Sequence, residues 1–159
     1  MKRILNINIM VINAMIACVY AALTIFLAPI SYGAIQMRIS EILVLLTFYN
    51  KKYIPGLVTG CFIANIASPM GLWDMLFGTL ATLLACIGIY KSNHLFLSAL
   101  IGAVINGLII GGELYLILQL PFVINAIYVF IGEYAVLMIG ALLFQVIEKN
   151  SEFMKKYIL

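Results

Sequence analysis

The strongest constraint on this chain is a succession of apolar runs, each close to the thickness of a lipid bilayer and separated only by short polar or proline-containing breaks. A helix needs roughly 20 apolar residues to cross the hydrocarbon core, and fewer where neighbours bury its ends. Six runs fit that description: residues 9–28, 34–49, 53–67, 75–90, 95–118 and 122–147. Pro29 stops the first, and Ser31, Tyr32 and Gly33 follow as a loop. Asn50, Lys51 and Lys52 end the second, and Pro55 opens the third in its first turn. Ser68 and Pro69 close the third, Lys91 to His94 break the fourth from the fifth, and Pro121 divides the last two. Proline is tolerated in a first turn and terminates a helix elsewhere. The runs are continuously apolar rather than alternating, which excludes a β-barrel. The expected fold is therefore all-α: one membrane-embedded domain over residues 1–159, built as a bundle of six transmembrane helices.

Charge agrees with that picture. Only 9% of the 159 residues are charged, against 65% hydrophobic. A soluble domain carries about 25% charged residues, so this chain cannot cover a globule in water. The net charge of +3 does not form a nucleic-acid patch, because the basic residues fall in short clusters between the runs. If six spans alternate, Lys2, Arg3, Lys51, Lys52, Lys91, Lys149, Lys155 and Lys156 share one side, and Arg38 alone takes the other. Positively charged loops stay inside, so both termini are expected in the cytoplasm of a multi-pass plasma-membrane protein. Met1-Lys2-Arg3 before an apolar stretch resembles a signal peptide. The first run, however, is of spanning length and is followed by others, so it is expected to be retained. Cys18, Cys61 and Cys86 stand singly in three runs without metal-ligand spacing and are expected to be small core residues.

The informative residues are those that lipid disfavours. A charge at the bilayer centre costs at least about 2.5–3.5 kcal/mol, so such residues face a cavity or a partner. Arg38, Glu41, Asp74, Glu113 and Glu133 all fall toward the outer ends of their spans or in outer loops. Asn65 and Asn106 add amides to the same half, and Asn106 shares a helix face with Glu113 seven residues on. Together they outline one outward-facing pocket. Simpler roles stand beside this one. Arg38 and Glu41, three apart, can pair with each other; Asp74 can cap the fourth helix; Trp73 can be an interfacial aromatic. Glu113 and Glu133 have no basic neighbour in sequence, and their excess negative charge calls for a ligand with donors or a positive group.

No enzyme is expected: the sequence holds no His-Glu-x-x-His, no Gly-x-Ser-x-Gly and no phosphate-cradling glycine loop. The single His94 lies in a cytoplasmic turn, and no metal or cofactor site is foreseen. With no nucleotide motif, active transport would draw its energy from another chain or from an ion gradient. Small residues recur four apart at Ala17 and Ala21, Gly56 and Gly60, and Gly107 and Gly111. Such faces let helices approach closely, either within this chain or onto another subunit.

Tyr32-Gly-Ala-Ile-Gln-Met-Arg-Ile-Ser-Glu41 resembles the signature of the QueT-type family of queuosine-precursor transporters. Ser68-Pro-Met-Gly-Leu-Trp-Asp74, followed by Leu-Phe-Gly-Thr-Leu-Ala-Thr-Leu-Leu-Ala85, is similar to that family's second hallmark. Length, six spans and the Ala17/Ala21 face extend the likeness over nearly the whole chain. One departure is Leu45-Leu-Thr-Phe where the family carries a Leu-Pro pair after the Glu41 position. The resemblance implies the substrate-binding S component of an energy-coupling factor transporter. It would capture a 7-deazaguanine from outside (queuine, or an aminomethyl or cyano precursor) and dock through Ala17 and Ala21 on a membrane T subunit. Two cytoplasmic ATPases would use ATP, with no cofactor held by this chain. The pocket chemistry suits such a base: a carboxylate accepts from N1–H and the amino group at once. Arg38, Asn65 or Asn106 can donate to its carbonyl, and Trp73 can stack on its plane. The division of labour among the acids stays open. The same fold serving another vitamin or purine, and a non-transport membrane scaffold, are the competing expectations.

Overall fold

The computed structural model describes residues 7–32 and 37–149. Lys2, Arg3, Lys155, Lys156 and the start of the second apolar run lie outside the described residues. Among the described residues every regular element is helical. Helix α1 (Ile7–Phe26) is followed by a single turn, α2 (Ala28–Ser31). A 3₁₀ segment (Ile39–Leu45) runs directly into α3 (Leu46–Tyr49), and a short turn (Lys51–Tyr53) leads into α4 (Ile54–Ile66). Three long helices complete the chain: α5 (Leu72–Tyr90), α6 (Leu95–Leu118) and α7 (Phe122–Glu148).

Four helices, α1, α5, α6 and α7, are long and apolar enough to cross a membrane. The second and third apolar runs take shorter forms. Seven 3₁₀ residues plus four α residues extend about 20 Å, and the 13 residues of α4 also about 20 Å, against a hydrocarbon core of about 30 Å.

Two boundaries differ from the sequence expectation. The first helix ends at Phe26 instead of running to Pro29, and Pro29 sits in the first turn of α2, where its missing N–H removes no helical bond. The fourth apolar helix begins at Leu72 rather than Met75, because Gly71 adopts φ +56° and takes the N-cap position. Glycine reaches that left-handed backbone at no steric cost. Asp74 is therefore not a cap; it lies inside the first turn, buried.

The long helices pack in sequence order, α1 on α4, α4 on α5, α5 on α6 and α6 on α7. The 3₁₀ segment lies among them, touching α7, α1 and α5, and its Val44 and Leu45 are fully buried with Tyr20, Leu57, Cys61, Ile89 and Leu137. Close approach explains the small residues. A Cβ at Gly60 would stand 2.8–2.9 Å from Tyr20 Cβ and from Ala17 Cα and O, so only glycine lets α4 meet α1 there. Gly107 and Gly111 abut Ala126 of α7 in the same manner.

The bundle has two chemically distinct ends. Tyr49 Oη donates to Glu148 Oε1 at 2.8 Å, and Lys51 Nζ lies 5.8 Å from the Tyr90 ring centre. These contacts gather Lys51, Lys52, Lys91 and Lys149 at one end, whereas Arg38 and Asp74 sit toward the other. The outer surface is apolar, with residues such as Phe26, Leu72 and Val146 exposed, while acids, amides and hydroxyls are buried. A surface of this kind is stable against lipid and not against water.

Candidate functional site

The buried polar groups converge where the 3₁₀ segment meets α1, α4 and α5. Glu41, in the first turn of that segment, is fully enclosed. Its Oε1 accepts a short hydrogen bond from Tyr20 of α1 and another from Thr82 of α5 at 3.2 Å. One turn further along α1, Thr24 donates to the Tyr20 carbonyl at 2.9 Å and meets Ser40 Oγ at 2.6 Å. Cys61 of α4 joins the same network, 3.2 Å from Thr82 Oγ1 and 3.3 Å from Asn65 Nδ2. It is thus a polar contact as well as a small core residue.

Arg38, only 3% exposed, brings the single buried cation among the described residues. Its Nη2 lies 3.9 Å from Asp74 Oδ1, so it pairs with Asp74 rather than with Glu41. Its guanidinium also sits over the Tyr32 ring, 5.6 Å from the centre, and Tyr32 Oη in turn donates to the Ala64 carbonyl at 2.6 Å. Asp74 accepts a short hydrogen bond from Ser68, and the Asp74 carbonyl accepts from Asn65 Nδ2 at 2.9 Å. Gly78 gives these groups room: a Cβ there would stand 2.6 Å from Asn65 Nδ2 and 3.4 Å from Arg38 Nη1.

Glu113 of α6 and Glu133 of α7 complete the cluster. Glu113 lies carboxyl to carboxyl against Asp74, at side-chain hydrogen-bonding range, and within electrostatic reach of Arg38; Glu133 lies within electrostatic reach of Glu41 and Arg38. Neither oxygen of Glu113 has a hydrogen-bond partner among the described residues, and the same holds for Glu133 Oε2, Glu41 Oε2, Asn65 Oδ1, Asn106 Nδ2 and Arg38 Nε. Each such group costs about 1–3 kcal/mol, more when charged. Keeping several of them in one place works against stability.

The structure thus brings Arg38, Glu41, Asn65, Asp74, Glu113 and Glu133 together, with Asn106 buried two turns before Glu113 on α6. It does not bring in Trp73, which is 47% exposed and faces Phe77 on the outside of α5. Ala17 and Ala21, expected on a face toward a partner, are also placed otherwise. They are 5% and 6% exposed and turn inward, because Ala17 seats Gly60 of α4. The exposed side of α1 instead carries Ala14, Cys18 and Ala22 at four-residue intervals. Tyr20, Thr24, Ser40, Ser68 and Thr82 are site residues that sequence reasoning missed. Tyr20 and Thr24 had one legible signal, since they share a helix face with Ala17 and Ala21. Among the described residues no three His, Cys, Asp or Glu side chains are placed to hold a metal ion.

An apolar helical bundle that encloses a charged, partly unsatisfied cluster is a multi-pass membrane protein with an interior suited to a polar solute. Comparison with known proteins gives the particular family. The model described as QueT transporter matches residues 10–149. The chain is also 32% identical over 155 residues to the queuosine precursor transporter QueT of Lactococcus lactis subsp. cremoris (strain MG1363), covering 87% of this chain and 91% of that one. The chain belongs to the QueT transporter family, a family of transporters and not of enzymes. No solved structure matches it.

Proposed function

We propose that this chain is the substrate-binding S component of an energy-coupling factor transporter, taking a 7-deazaguanine (queuine or one of its aminomethyl or cyano precursors) from outside the cell. The single observation that carries this reading is the buried cluster of Arg38, Glu41, Asp74, Glu113 and Glu133, with acceptors left open inside an apolar bundle. A guanine edge presents N1–H and an amino group to a carboxylate, and a guanidinium or amide donates to its carbonyl. The similarity to a protein described as a queuosine precursor transporter supports the same ligand class. Residues 1–159 act as one domain with six membrane crossings. The lysine-rich end and both termini face the cytoplasm of the plasma membrane. The two short segments cross by leaning on longer neighbours. The chain holds no cofactor; ATP is consumed by two cytoplasmic ATPases coupled through a transmembrane T subunit. Contact with that subunit falls on the exposed α1 face of Ala14, Cys18 and Ala22, where small side chains admit a partner helix. The test is a thermal-stabilisation panel on purified protein, using queuine, its two precursors, guanine and a set of vitamins. Stabilisation by the deazaguanines alone supports the reading, and stabilisation by a vitamin alone replaces it.

A further inference from the structure

The cluster is unbalanced in two independent ways. Its charges are four carboxylates, Glu41, Asp74, Glu113 and Glu133, against one buried cation, Arg38. Among the described residues the other basic side chains lie at the opposite end of the bundle. Its open valences are unequal too: six acceptor atoms have no hydrogen-bond partner among the described residues (Glu41 Oε2, Asn65 Oδ1, Asp74 Oδ1, both oxygens of Glu113 and Glu133 Oε2), against three donor nitrogens, Arg38 Nε and Nη2 and Asn106 Nδ2. Arg38 pairs with Asp74, and Glu41 is already served by Tyr20 and Thr82. Both oxygens of Glu113, which lies against the Asp74 carboxyl, and Glu133 Oε2 meet no donor among the described residues, one acid on each of two adjacent helices.

We infer that the site is built for a cationic member of its ligand class, a deazaguanine bearing an amine on its side arm, and discriminates against the neutral nitrile. This rests on the function proposed above and adds the identity of the side arm. A neutral ring edge can occupy one open carboxylate by donating from N1–H and the amino group, but it leaves the charge unbalanced. An ammonium brings a positive charge and three donors and no acceptor, which answers both deficits at the second carboxylate. A nitrile brings one more acceptor to a site that already has a surplus. In an interior of low dielectric an uncompensated carboxylate is the costly species, so the charge of the arm, more than its size, sets the preference.

The experiment titrates purified full-length chain with three ligands that share the ring: 7-aminomethyl-, 7-hydroxymethyl- and 7-cyano-7-deazaguanine. The aminomethyl compound is expected to bind at least about tenfold tighter than either neutral one, the scale of a charge-assisted hydrogen bond in a desolvated site. In Glu113→Gln or Glu133→Gln, whichever carboxylate faces the arm, that ratio should disappear. Equal binding of the aminomethyl and hydroxymethyl compounds would mean that protons and not the ligand balance the acids. That result, or a preference for the nitrile, overturns this inference and leaves the deazaguanine reading standing. Binding of none of the three overturns the proposed function and this inference with it. The ratios measured on the parent protein decide the matter even if a variant does not fold.

Discussion

Adding one methyl group at Gly60 tests the packing that holds the site in shape. The new Cβ of Gly60→Ala would lie 2.8 Å from Tyr20 Cβ and 2.9 Å from both Cα and O of Ala17. Carbon atoms in contact prefer about 3.5–4.0 Å, so α1 and α4 have to part by roughly 1 Å. Two of the three atoms belong to the α1 backbone and cannot rotate aside. Overpacking of this kind costs about 1–3 kcal/mol. In a chain of this length each kcal/mol lowers the melting point by about 2–4 °C. Tyr20 rides on the displaced helix and donates to Glu41, so ligand affinity should fall along with stability. Gly112→Ala is the matched control: nothing lies within 4 Å of its added Cβ, and alanine is favoured over glycine inside a helix by about 0.5–1 kcal/mol. Thermal unfolding of both variants in one detergent, paired with ligand titration, reads the effect. A Gly60→Ala melting point indistinguishable from the parent's would refute the close α1–α4 approach.

Other perturbations probe separate parts of the account. Ala17→Leu places a larger side chain against the same contact, so stability and ligand binding should decline together; loss of uptake with full binding would instead return Ala17 to a docking face. Arg38→Gln strands Asp74 and should destabilise by about 3–5 kcal/mol, the range for breaking a buried pair. Adding Asp74→Asn should recover part of that loss, and strictly additive effects in the double-mutant cycle would show that the 3.9 Å pair carries no coupling. For topology, reporter cysteines at Lys51 or Lys91 in a cysteine-free background should resist an impermeant reagent applied outside, and one at Gly71 should react. Equal labelling at both ends would contradict the proposed orientation.

The acids and Arg38 were legible in the sequence because a lone charge in an apolar run has few reasons to be there. Their partners were not. A tyrosine, threonine or cysteine within an apolar helix is unremarkable until a crossing brings it to a charge, and Tyr20 and Thr82 reach Glu41 from 21 and 41 residues away. Apolar length located the long helices, but it carries no information on whether 39–45 winds as 3₁₀ or α. Faces were harder than spans. Asp74, Gly78, Ala81, Thr82 and Ala85 form the buried stripe of α5, and that stripe turns the adjacent Trp73 outward. Likewise Ala17, Tyr20, Ala21 and Thr24 are the buried residues of α1. Reading the two alanines without the tyrosine and threonine beside them pointed the face toward a partner, whereas hydroxyls on the same stripe indicate an inward face.

The central claim, that the buried acids of α6 and α7 hold the ligand, is tested most directly by titrating queuine and its two precursors into the parent, Glu113→Gln and Glu133→Gln. An amide in place of a carboxylate sets an NH₂ group against a ligand donor, and losing such a bond at a desolvated site costs about 1–3 kcal/mol or more. The account predicts saturable binding to the parent and about tenfold or greater weakening in each variant, with both variants still folded. Unchanged affinity in both would contradict it.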